Sequence, residues 1–143
     1  MVDATKDTFN RIFSIELDEA LYEHEKKKFS KFAHISIVQG DSGELLPVIL
    51  ADITQPCLFW LDGHCSSGIT AKGELETPIT QEPHYILAHF VEEHNLFADD
   101  ARHLTVQKDY SNIEKLKNMI FKKHPDWSFE VKYDIIRVPG RIQ

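Results

Sequence analysis

The sequence predicts a three-layer α/β domain: a mainly parallel sheet covered by helices on both faces, with an antiparallel strand or hairpin at its carboxyl end. Three observations carry that expectation. Short apolar runs rich in β-branched and aromatic residues alternate with segments of helical periodicity, and the connections between them are brief, the pattern of a parallel sheet with crossover helices. A long β-rich run, SFEVKYDIIRV (128–138), follows the last helical segment. The chain has 143 residues, 42% of them hydrophobic and 10% aromatic, enough to bury a core within one domain, 1–143.

The elements follow in order. RIFSIEL (11–17) is the first strand. Asp18 is placed to cap a helix over DEALYEHEKKKFSKF, where Leu21, Glu25 and Phe29, with Phe32, recur at helical spacing. HISIVQGD (34–41) is the second strand, and Gly40-Asp41-Ser42 the turn after it. GELLPVILAD follows as a short helix that Pro47 is expected to restrict to its first turns. CLFWLD (57–62) is the third strand. The polar, glycine-containing stretch CSSGITAKGELETPITQEPH is long for a connection and reads as a substrate-side lid. Pro83 should delay the next helix until after Glu82, leaving YILAHF as its apolar part. HNLFAD (94–99) is a weaker fourth strand. SNIEKLKNMIFKKHPDW (111–127) carries the clearest helical pattern, with Ser111 and Glu114 as a capping box, an apolar stripe along Ile113, Leu116, Lys117, Ile120 and Phe121, and Pro125 as its stop. Trp60, Trp127, Phe13, Ile15, Ile37, Leu58, Phe59 and Ile136 are the expected core.

Charge and composition narrow the function classes. Sixteen basic and 23 acidic side chains give a net charge of −7, and the densest basic run, Lys26-Lys27-Lys28, reads as a solvated helix face. That balance argues against a nucleic-acid partner, for which a basic patch or stripe is usual. No apolar stretch has the length of a membrane span, and MVDATKDTF lacks the charged start and apolar run of a signal peptide. Cys57 and Cys65 have no metal-type spacing, so a reducing, cytoplasmic setting is expected.

The informative feature is what closes each strand. Crossovers in parallel sheets are right-handed, so the carboxyl ends of the strands share one edge, where ligands of open α/β sheets bind. There stand Glu16, then Asp41 with Ser42, then Asp62 with His64, then Asp99 and Asp100. Each alone has an ordinary explanation: helix capping shared with Asp18 for Glu16, an exposed loop for His64, a turn for Asp99-Asp100. His103, three residues past Asp100, could orient a ligand carboxylate or simply be exposed. Scattered surface charge would place acids along helices instead, and a cluster of carboxylates at one edge points to chemistry.

In this arrangement the chain resembles a class I S-adenosylmethionine-dependent methyltransferase, and more closely the macrocin O-methyltransferase-like branch. The resemblance runs from about residue 9 to residue 138, and the order and spacing of the motifs carry it. It implies a Rossmann-like methyltransferase fold in which Glu16 of FSIELD holds the ribose hydroxyls of the cofactor and Asp41-Ser42 of QGDSGELL contacts its adenine edge. Asp62 of WLDGH is the acid on the catalytic side. In that branch the fourth strand ends in Asp-Gly-Asp and the fifth in Asp-Asp, and three of those aspartates bind a divalent metal, usually magnesium. Asp62, Asp99 and Asp100 carry over as those ligands. Where the branch has its second Asp this chain has His64, which could act as general base. The family's first strand and glycine-rich loop should precede RIFSIEL, but no glycine precedes Gly40. The resemblance therefore implies an N-terminally truncated domain with impaired cofactor binding and a pull toward homodimer formation through unpaired strand edges. The methyl acceptor implied is a small-molecule hydroxyl. Two other classes share some of these features. A metal-dependent phosphoester hydrolase also clusters aspartates at strand ends but has no need of Glu16 and Asp41, and a non-catalytic oligomeric remnant would keep the carboxylates without binding the cofactor.

Overall fold

The computed structural model describes residues 1–61, 78–104 and 110–140. They form two compact units, Met1–Leu45 and Leu46–Gln143. The mixed α/β class, with parallel and antiparallel pairing, is the one predicted.

In the first unit, α1 (Val2–Thr5) precedes β1 (Ile12–Glu16), α2 (Glu19–Lys28) and β2 (Ile35–Gln39), and α3 (Ser42–Ala51) begins. β1 and β2 pair in parallel, from Ile12 opposite Ile35 to Glu16 opposite Gln39. Asp18 caps α2 as expected: its carboxylate accepts the Leu21 N–H at 2.9 Å. The helix ends at Lys28 rather than reaching Phe32. Phe29 takes up the C-cap position, its N–H still bonded to the Glu25 carbonyl, while the Ser30 hydroxyl donates to the Lys27 carbonyl. These bonds satisfy carbonyls that a helix end otherwise leaves open. Phe29 is the buried residue of this unit, set edge-on against Phe32, whereas Leu21 is exposed. His34 bonds the Lys6 carbonyl at 2.7 Å and ties the segment after α1 to the start of β2.

The second unit contains the rest of α3, β3 (Leu58–Leu61), α4 (Pro78–Ala88), β4 (Asn95–Ala98), a 3-10 turn at Ala101–Leu104, α5 (Tyr110–Lys123), β5 (Glu130–Lys132) and β6 (Ile135–Val138). Its sheet has the order β3-β4-β6-β5. β3 and β4 run parallel, and β4–β6 and β6–β5 antiparallel. The carboxyl end is therefore a hairpin. Its two-residue turn is Tyr133-Asp134, both at positive φ (53° and 63°), the backbone signature of the turn that matches strand twist. Leu96 and Ala98 of β4 and Ile136 and Val138 of β6 project the same way. They bury against Leu46 and Leu50 of α3, Ile86 and Leu87 of α4, and Leu116 and Ile120 of α5. Trp127 closes that core.

Several local expectations are corrected. α3 continues through Pro47 to Ala51. Pro47 lies in the second turn and gives up one hydrogen bond, to the Gly43 carbonyl, while the helix buries Leu46 just before it and Leu50 one turn on; that burial offsets the lost bond. α4 likewise runs through Pro83 from Pro78, and Pro83 is itself almost completely buried. α5 begins at Tyr110, which puts Ser111 inside the helix rather than at its cap. Of the expected core, Trp127 and Ile136 are buried, Phe13, Ile15, Ile37, Phe59 and Trp60 are half-buried, and Leu58 is exposed at the start of β3. No helix among the described residues is long and apolar enough to cross a membrane.

Candidate functional site

Two groups of the predicted acids are described, one in each unit. In the first, Glu16 is the last residue of β1 and sits opposite Gln39 at the end of β2. The backbone N–H of Gly40 donates to the Glu16 carbonyl at 3.0 Å. Gly40 has φ +145°, and a side chain there would run into the Leu45 Cδ1 at 2.8 Å. A glycine is therefore required to turn the chain from β2 into α3. The next residue, Asp41, accepts the Gly43 N–H on Oδ1 at 2.7 Å, and its carbonyl accepts the Leu45 N–H at 2.9 Å, so it caps α3. Glu16 accepts the Asp18 N–H on Oε1 at 3.0 Å.

Each carboxylate thus uses one oxygen to shape its own turn, while Glu16 Oε2 and Asp41 Oδ2 make none of these bonds. Two carboxylates follow adjacent parallel strands at one edge, beside the first turn of a ten-residue helix. Such a pair is suited to accepting hydrogen bonds from hydroxyl or amino groups of a neutral or cationic ligand. Ser42 is the first residue of that helix.

The second unit holds the other pair. Leu61 ends β3 opposite Ala98, and the Asp99 N–H donates to the Leu61 carbonyl at 2.9 Å. Asp99 Oδ1 accepts the N–H of Asp100, which turns at φ +54°. Asp100 Oδ1 is paired with Arg102 Nη2 at 3.0 Å, and Arg102 Nη1 with Asp134 Oδ2 at 3.1 Å. Asp134 also takes the Arg102 N–H on Oδ1 at 2.7 Å and the Ala101 N–H on its carbonyl at 2.8 Å. The β5–β6 turn is thereby stitched to the corner after β4.

Asp62 and His64, the expected catalytic residues, lie outside the described residues, as do most of the expected lid and the side chain of His103. The structure therefore brings together Glu16 with Asp41-Ser42, and Asp99 with Asp100, each within its own unit. The three-aspartate metal expectation gains no support here. Among the described residues no group of three ligating side chains is present, and Asp100 already has a cation partner in Arg102. This donor set does not by itself fit a divalent metal, and no step below is routed through one.

Arg102 and Asp134 were not marked by sequence pattern, because their partnership spans 32 residues and depends on the hairpin docking. A second feature also escaped the sequence. His94 is buried, and its ring is joined to that of His89 at 2.9 Å. Burial, with the charge of His89 beside it, pushes His94 down to about 4.

No protein-family model matches the chain, and no curated protein matches it in sequence. Solved structures do. A protein from Staphylococcus aureus assigned as a caffeoyl-CoA O-methyltransferase has a TM-score of 0.59 at 10% identity, over 97% of this chain and 68% of its own. The Escherichia coli protein yhhF, assigned as a methyltransferase, has a TM-score of 0.55 at 12% identity, over 99% of this chain and 71% of its own. The 23S rRNA methyltransferase ErmE has a TM-score of 0.51 at 19% identity, and the match spans 99% of this chain but 57% of ErmE. At such identities the likeness concerns architecture: the chain has the Rossmann-like fold of these methyltransferases.

Proposed function

We propose that residues 1–143 form one methyltransferase-like domain that uses S-adenosylmethionine to methylate a hydroxyl of a small molecule. Glu16, Asp41 and Ser42 are assigned to the cofactor, and Asp62 and His64 to the acceptor. The observation that carries this reading is the placement of Glu16 and Asp41 at the carboxyl ends of adjacent parallel strands. Each has one carboxylate oxygen held by a backbone N–H and a second outside those bonds.

When bound, the cofactor supplies a methyl group on a sulfonium, activated for transfer. Glu16 would accept hydrogen bonds from a vicinal diol, and Asp41 one from an amino group, which fixes the cofactor's orientation. His64 would take the proton of the acceptor hydroxyl as general base. The excess of acidic over basic side chains favours a small acceptor over a nucleic acid.

A residue-by-residue reading of cofactor binding is the test. Amide chemical shifts followed with millimolar S-adenosylhomocysteine should move at residues 16–18 and 39–44. Glu16→Ala should weaken the response by about 1.5–3 kcal/mol, the scale of a charge-assisted hydrogen bond, and leave the spectrum of the free protein folded. Shifts absent at that concentration, or present only away from these two turns, would refute the assignment.

A further inference from the structure

At the amino ends of β3 and β4, away from the acids, the second unit contains a continuous hydrogen-bonded line through two imidazoles. The Cys57 N–H meets His94 Nδ1 at 3.0 Å. His94 Nε2 meets His89 Nδ1 at 2.9 Å, and His89 Nε2 meets the Leu50 carbonyl at 2.9 Å. The two ends fix the direction of every bond between them. A backbone N–H can only donate, so His94 Nδ1 accepts and the His94 proton sits on Nε2. His89 Nδ1 then accepts, and the His89 proton sits on Nε2, where the Leu50 carbonyl takes it. One tautomer of each ring satisfies the line, and the reverse order is impossible.

Both accepting ring nitrogens are therefore already occupied by N–H donors, and the Val91 N–H approaches His89 Nδ1 as well, at 3.4 Å. A further proton on either ring puts a donor against a donor and breaks the line at that point. We infer that the His89–His94 pair is a proton-sensitive latch that holds the start of β3 and the end of α3 to the α4–β4 connection and releases them when one ring takes up a second proton.

The surroundings support a switch rather than a passive contact. His94 is buried, its ring edge-on to Phe59 at 5.0 Å, so water has little access to replace a lost bond. The titratable groups around it are few. The connection after α4 contributes His89, the charge that acts on His94, and the residue before β3 contributes the half-buried Cys57 thiol, bonded to the Gln55 carbonyl. Glu92 and Glu93 precede His94 in the connection, and Glu92 acts on His124 of the segment after α5. α3 presents the Leu50 carbonyl, and the segment after β6 presents Gly140 against the His94 backbone. No Lys or Arg acts on His94 among these causes. Cys57 has both its backbone groups in the same place, since its carbonyl accepts the Asn95 N–H at 2.9 Å. Among the described residues β3 is an edge strand of its four-stranded sheet, so a break at Cys57, just before Leu58, opens it from its amino end.

The intact chain tests this. Nitrogen-15 spectra of the imidazoles at pH 7.5 should show His89 and His94 each in the Nε2–H tautomer. Hydrogen exchange of the Leu58–Leu61 amides, corrected for its intrinsic pH dependence, should lose protection as pH falls below 6. The slope should approach the value for uptake of one proton, about tenfold per pH unit. The amides of α5 should stay better protected than those of β3 at each pH. His94→Gln, which cannot titrate, should flatten that slope. If it fails to fold, the wild-type spectra and exchange decide alone. The latch is overturned if His94 carries its proton on Nδ1, if it titrates like a free imidazole, or if β3 keeps its protection while His94 gains a second proton.

Discussion

His94 ties global stability to pH with a sign that follows from burial. Its native pKa, about 4, lies below the ordinary 6.5, so folding holds the ring neutral while the unfolded chain is free to protonate it. Stability from this residue is complete above pH 6.5. It is lost as pH falls from 6.5 to 4, and no more is lost below 4. The span corresponds to roughly 3 kcal/mol. Urea unfolding at pH 7.5 and at pH 4.5 should show most of that difference, and His94→Gln should shrink it. A second residue is set by contact alone. A β-carbon on Gly140 would collide with the His94 carbonyl and with the Glu93 backbone, and backbone there cannot move aside cheaply. Gly140→Ala should therefore cost about 1–3 kcal/mol, in the range of overpacked sites, read as a lower urea midpoint with an unchanged slope. Neither residue stood out in the sequence. His94 is one of eight histidines, and its five-residue spacing from His89 lies in the connection after α4, where no periodicity links the two. Partners this distant become visible only when the fold delivers the Cys57 N–H and the Leu50 carbonyl.

At the scale of elements, the cap of α2 and the strand ends were legible because they depend on neighbours within three or four residues, whereas the cap expected at Ser111 falls inside α5. Asp18 before α2 is such a case, and the acids that close β1, β2 and β4 are others. The prolines were misread for the opposite reason. A local rule ends a helix at Pro47 or Pro83, yet burial of Leu46 and Leu50, and of Pro83 itself, is a tertiary gain that the local rule does not contain. Asp41 joins a local role to a proposed functional one, and two substitutions separate them. Asn caps helices about as well as Asp, and Ala does not. Asp41→Asn should therefore melt close to wild type while losing the cofactor-induced shifts at residues 39–44. Asp41→Ala should lose both, with a stability cost of about 1 kcal/mol. If Asp41→Asn keeps the full cofactor response, the carboxylate charge is not used and Asp41 is a cap alone.

For the whole molecule, the alternation of strand and helix was enough to give the class, and the strand-end acids pointed to the edge where ligands of such sheets bind. Assembly rests on different physics. Among the described residues β1 pairs with β2 on one side only, and β3 pairs with β4 on one side only. A two-stranded sheet is marginal in water, and an open strand edge is a template for a further strand. Leu17, at the end of β1, and Leu21, on α2, are both exposed, which adds apolar surface to the first unit. We predict a homodimer joined through such an edge. Light scattering after gel filtration should give twice the mass of one chain at high concentration and a shift toward monomer on dilution. Leu21→Glu should move that shift to higher concentration with little effect on monomer stability, because an exposed helix position tolerates glutamate. A single species with the mass of one chain at every concentration would mean that the edges are satisfied within the chain, and the dimer prediction would fail.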